Sequence, residues 1–182
     1  MSTLSRVSAA VFSALVCTSA VANNIELPIR DAERPETTNG IPHVQLGSIK
    51  ADRGLSDALL QSVSELPGVE LGPTRVSLPG AVGFQLTSDI DLANPDAIVG
   101  GREFAHLHPD GSLHASLEPD LARAAVSAGW ATPHPWATQR ASFAGFVMIY
   151  TPQTQEELEV VIELVRASYA FVTGQVAPGQ TQ

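Results

Sequence analysis

Apolar positions fall into blocks of different period along the chain. The first is a mostly apolar stretch at 9–22, AAVFSALVCTSAVA, interrupted only by Ser13, Thr18 and Ser19. It is short for a membrane span, which needs about 20 residues. Arg6 precedes it, no acid does, and Ala20-Val21-Ala22 closes it, so it predicts a secretory signal peptide over 1–22. Residues 23–51 carry little periodicity and several Pro, Asn, Thr and Gly, and read as an extended lead-in or linker. Helical spacing begins after Asp52 with Leu55, Leu59, Val63 and Leu66, and Pro67-Gly68 ends it.

The middle of the chain switches to short β-favouring pieces. VELGPTRVSLPGAVGFQL predicts two or three strands in hairpins, and a polar loop then leads to AIVGGREFAHLH, Pro-Asp-Gly and SLHASL. Glu118-Pro119-Asp120 starts a second helix, with Leu121, Ala124, Ala125 and Ala128 as its apolar face and Gly129 as its stop. A loop rich in Pro and Trp precedes the strand FVMIY. Thr154-x-x-Glu157 is a capping box for a last helix facing inward through Leu158, Val161, Ile162, Val165 and Tyr169. Hairpins rather than βαβ units predict an α+β domain over 52–174, a mainly antiparallel sheet packed by about three helices. Residues 175–182 read as a disordered tail.

The hairpin in the middle concentrates the chemistry. Pro109-Asp110-Gly111 suits a three-residue loop, two residues in a type I turn and Gly in the left-handed position. That loop pairs His106 with His114 and His108 with Ser112, so His106, His108 and His114 share one face with Ser112 and Ser116. Ala105, Leu107, Leu113, Ala115 and Leu117 take the other. A two-residue loop would instead send His114 to the apolar face. Three histidines on one face can converge on a divalent metal and leave a fourth position open. They can also act as a base, since imidazole titrates near neutral pH; a solvated polar face is the plain alternative. Alternation places no Asp or Glu on that face, which counts against a metal, whose histidine ligands usually lean on carboxylates.

Composition then trims the field. The chain has 182 residues, a net charge of −9, 44% apolar residues, one Cys and five His. Lys50 is its sole lysine, so no basic stripe exists for nucleic acid or an anionic membrane. Cleavage after Ala22 would remove Arg6 and Cys17, moving the charge by one to −10 and leaving no thiol for catalysis, zinc or disulfides. The expected setting is periplasmic or secreted, with no stable membrane anchor after cleavage. His134, in the Pro-rich loop, is the obvious fourth histidine of the site; Glu103 and Arg102 stand beside the hairpin. Trp136 suits a lid, Trp130 a core or stacking ring, and Arg75, read on a strand, an anion contact. Tyr150 reads as packing and His43, in the lead-in, as incidental. Ser112 and Ser116 lack a nucleophile-elbow context.

The run GREFAHLH, then SLH, a helix ending in Gly129-Trp130, His134-Pro135, and FVMIYTP followed by EELEVVIELVRASYAFVTG resemble the fungal luciferase domain and its bacterial relatives. The match covers roughly 54–174 and is strongest from Arg102, while LPGVELGPTRVSLPG looks like the bacterial branch. Arg102, Glu103, His106, His108, His114, Trp130 and His134 match the family pattern by position. The resemblance implies oxygenase chemistry, with molecular oxygen and an electron-rich hydroxylated small molecule as reactants and no organic cofactor. The tight turn before His114 departs from the fungal pattern, and an exported setting gives no reason to expect the fungal pyrone or light. The rival expectation is a non-enzymatic periplasmic module that binds a metal or ligand on the same face.

Overall fold

The computed structural model describes residues 26–177; the leader expected at 1–22 lies outside the described residues. Among the described residues, three α-helices and six strands form an α+β fold. The helices are α1 (Arg53–Ser64), α2 (Pro119–Ser127) and α3 (Gln155–Thr173). The strands are β1 (Val69–Pro73), β2 (Val82–Leu86), β3 (Glu103–Leu107), β4 (Leu113–Ser116), β5 (Ala131–Pro133) and β6 (Phe146–Ile149). They make one sheet in the order β1-β2-β3-β4-β6-β5, every pair antiparallel. No helix among the described residues is long and apolar enough to cross a membrane.

Local chemistry explains the helix ends. The Asp52 side chain accepts the Leu55 N–H at 3.1 Å, and Thr154 accepts that of Glu157 at 3.2 Å. The Glu118 carboxylate caps α2 ahead of Pro119. The buried face of α2 differs from the expected one by a small rotation: Ala122, Ala125 and Ala128 are buried while Ala124 is exposed. Three residues of the Pro- and Trp-rich loop pair as β5, which a proline-bearing sequence hides because only an edge strand tolerates it. Arg75 lies in the bend after β1 rather than on a strand.

The register of β3 and β4 pairs His106 with His114 and Leu107 with Leu113, as the loop chemistry predicts. Gly111 closes the loop at φ 85° and donates its N–H to the His108 carbonyl. Ala105, Leu107, Leu113, Ala115 and Leu117 are at most 4% exposed and form the core with Leu158, Val161, Val165 and Tyr169 of α3. All three helices serve this side of the sheet, α3 on β3 and β4, α2 on β5 and β6, and α1 on α3 and β1.

Residues 26–51 are irregular rather than simply extended: they fold back on themselves through a Thr37–Gln45 bridge, and they are tied to the domain. The Trp130 indole N–H donates to the Pro28 carbonyl at 2.6 Å, and the Thr151 N–H donates to the Gln45 side chain at 3.3 Å. Arg30 is 7% exposed; its Nε and Nη2 meet the two Glu157 oxygens at 3.0 and 3.1 Å, and its guanidinium lies 5.8 Å from the Trp130 and Tyr150 ring centres. Removing one partner of such a shielded pair strands the other charge. Glu157→Gln is therefore expected to cost about 3 kcal/mol in denaturant unfolding and to speed proteolysis within 31–44. Unchanged stability and cleavage would show that this pair does not hold the arm.

Candidate functional site

The sheet row that crosses the hairpin reads Gly72, Gly83, His106, His114, Met148, Thr132. These positions share the face opposite the helices. His108, Ser112 and Ser116 belong to it by alternation. The loop after β5 brings His134 over the same face, its ring centre 4.7 Å from that of His114. His43, set aside in the sequence as incidental, is part of the cluster: its Nδ1 lies 3.1 Å from His114 Nε2. All five rings are at most 5% exposed.

Glu103 also reaches this face, against the expectation that no acid does. A bulge opposite Phe84 and Gln85 makes Phe104 an extra residue, so Glu103 pairs with Gln85 and returns to the histidine side. Its Oε1 lies 3.0 Å from His106 Nδ1 and accepts the Thr74 hydroxyl at 2.6 Å; its Oε2 accepts the Arg75 N–H at 2.7 Å. The carboxylate lies over Gly83, where a Cβ would come within 2.7 Å of Oε2. Burial pushes the Glu103 pKa up, but the bonds from His106, Thr74 and Arg75 outweigh it and hold the group below its ordinary value.

These contacts assign the ring protons. An ionised carboxylate only accepts, so His106 carries its proton on Nδ1 and, when neutral, has a lone pair on Nε2. His106 Nε2 is 3.0 Å from His114 Nδ1, so His114 Nδ1–H donates to it, and His43 Nδ1–H in turn donates to His114 Nε2. Protonation of His106 reverses both bonds. The Ser112 hydroxyl donates to Asp110 Oδ1 at 2.7 Å and therefore accepts from His108 Nδ1–H at 2.9 Å, leaving the His108 Nε2 lone pair free. His134 Nδ1 accepts the Trp136 N–H at 3.0 Å, so its proton sits on Nε2.

The remaining sequence candidates separate cleanly. Trp136 stands at the cluster, its ring 5.1 Å from that of His134. Trp130 is a core residue under the arm, and Tyr150 packs beside Arg30. Arg102 donates to the Leu86 and Ile90 carbonyls away from the histidines. Arg75 enters the site through its backbone N–H, with an exposed side chain. Residues that sequence reasoning missed are His43, Thr74, Gly83 and Asp110. Only Asp110 carried a local signal, as a turn residue whose side chain bonds two positions on. Two surface hollows, one lined by Asn94, Ser142 and Phe171 and one by Arg123, Val126 and Pro133, lie away from the cluster.

Burial lowers the pKa of His43, and burial with repulsion among the rings lowers those of His108, to about 4, His134, to about 3, and His114. Unfolded, these rings titrate near pH 6.5, so below that pH the unfolded state binds more protons. Their contribution is whole above about pH 6.5 and is lost as pH falls, by about 1.4 kcal/mol per pH unit for one fully titrating ring. Glu103 acts in a lower window, its contribution fading as pH drops below about 4.3. The Tm of chelator-treated protein should fall between pH 7 and 5, and His108→Gln should flatten the fall; an unaltered slope in the variant would contradict the assignment.

Comparison with known proteins places this geometry. Residues 101–168 match the family model described as Luciferase domain. The chain is 27% identical to a luciferase of Armillaria mellea, 26% to that of Armillaria gallica and 25% to that of Neonothopanus nambi, each match covering 84% of this chain and 63% of the relative. The chain thus spans a little under two thirds of the length of these relatives. No solved structure matches it. The chain is similar to the fungal luciferases over most of its length, and the segment that matches the luciferase domain family is the one that builds the histidine hairpin.

Proposed function

We propose that the protein is a small-molecule oxygenase, exported to the periplasm or beyond, whose reaction centre is the buried histidine cluster. The observation that carries the reading is the coincidence of the luciferase-domain match with a buried cluster of five imidazoles whose hydrogen bonds order their ring protons. Such rings offer lone pairs in a setting shielded from water, either to take a substrate proton or to ligate an ion. His106, His108, His114, His134 and His43 supply the rings, Glu103 orients His106, and Trp136 borders the site. The substrate class is an electron-rich hydroxylated compound, such as a hydroxypyrone or catechol.

In the base form of this chemistry an imidazole lone pair takes the hydroxyl proton and leaves an enolate. One electron passes from the enolate to molecular oxygen, the two radicals join in a C–O bond, and the peroxide anion recovers the proton. Substrate and oxygen thus combine one to one into a hydroperoxide. The burial of the cluster favours a second reading, a module that holds a metal or ligand without turnover, since all five rings are at most 5% exposed.

Oxygen uptake separates the two. With hydroxypyrones and catechols, the full chain should consume oxygen and substrate together, and His106→Ala should lower kcat/KM by about 100-fold or more. Absence of histidine-dependent consumption across both classes would overturn the oxygenase reading in favour of the binding module.

A further inference from the structure

We propose that His106 Nε2, His108 Nε2 and His114 Nδ1 together hold one divalent first-row transition-metal ion, and that Glu103, the Ser112–Asp110 pair and His43 are the outer partners that aim the three rings. The inference rests on the same site as the oxygenase reading and names its cofactor.

Convergence is the first observation. One ring nitrogen from each of His106, His108 and His114 lies within 4.8 Å of the others. Two nitrogens each about 2.1 Å from an ion and at right angles to one another lie about 3.0 Å apart. His106 Nε2 and His114 Nδ1 are 3.0 Å apart, a separation that serves a hydrogen bond in the metal-free protein.

Proton placement is the second. A histidine ligates through one nitrogen while the other donates to an acceptor that fixes the ring. His106 Nδ1 has Glu103 as that acceptor, and His108 Nδ1 has Ser112, itself held by Asp110. His43 Nδ1 stands 3.1 Å from His114 Nε2 and becomes the third acceptor once the ion occupies His114 Nδ1 and the proton between these rings belongs to His114. Each of the three rings thus has an acceptor behind it.

The other grouping, His43, His114 and His134, also lies within ligand distance. It fails on His134, whose Nδ1 is taken by the Trp136 N–H and whose Nε2 therefore carries a proton. Charge is the third observation. Glu103 is 3% exposed, and among the described residues no Arg or Lys pairs with it. An ion of charge +2 behind His106 and His108 balances the Glu103 and Asp110 carboxylates. Neutral imidazole donors suit first-row divalent ions such as zinc and iron.

The test uses the full chain, stripped with chelator and titrated with Zn²⁺ and, under anaerobic conditions, with Fe²⁺. One ion should bind per chain, and His108→Ala should lose tight binding. His43→Ala, Glu103→Gln and Ser112→Ala should each weaken it by about 10–100-fold, while His134→Ala leaves it unchanged. Ser112→Ala keeps every ring and decides the matter if His108→Ala does not fold. A folded wild-type protein that takes up neither ion overturns the site, as does equal loss in His134→Ala and His108→Ala. Metal uptake without oxygen consumption leaves the site standing and ends the oxygenase reading. Oxygen consumption undiminished in stripped protein ends the cofactor role and keeps the oxygenase.

Discussion

Direct pairing of His106 with His114 is the constraint from which the rest follows. Side chains alternate along a strand, so one pairing decides which residues meet α3 and which lie opposite. A three-residue loop with Gly111 in the left-handed region enforces it. Leu107, Leu113 and Ala115 then go to the core, and three imidazoles crowd together where the helices do not reach. A slip of one residue would bury histidines against α3 and expose leucines, so core and site hold the same register from opposite sides.

A sheet with one apolar face usually leaves the other to water. Here the second face is covered, although its residues are among the costliest to bury without partners. The cover is irregular chain: the arm over 26–51 and the loop around His134. Arg30 with Glu157, and Trp130 with Pro28, anchor the arm beside α2 and α3, and Gln45 ties it again near Thr151. Many of the polar atoms beneath it bond to one another, Gln45 Nε2 being an exception, and that network lets the closure persist.

Legibility in the sequence followed the range of the interaction. Helix caps, the antiparallel hairpins and the shared face of His106, His108 and His114 rest on contacts a few residues apart, and local pattern shows them. His43 did not show, because it docks on His114 across 71 positions from a segment with no period of its own. Glu103 was misplaced for a subtler reason. Strict alternation puts it on the face opposite His106, and the bulge at Phe104 that reverses this depends on Phe104 and Ala105 both seeking the core. Gly83 was silent, since a missing side chain announces nothing until the carboxylate lying over it is seen.

Glu103 also explains why the cluster has a direction. The row of His106, His114 and His43 could order its ring protons in more than one way, and each arrangement would differ little in energy. One buried carboxylate at the end of the row removes that freedom: it requires a proton on His106 Nδ1, and the ring-to-ring hydrogen bonds then order His114 and His43 in turn. A charge added at the His106–His114 contact, whether a proton or a metal ion, turns the same row around toward His43. The arm residue is therefore coupled electrically to a carboxylate on β3 through two rings of the sheet. His43 thus shares a hydrogen-bonded proton with His114, and the irregular cover is joined to the histidine row.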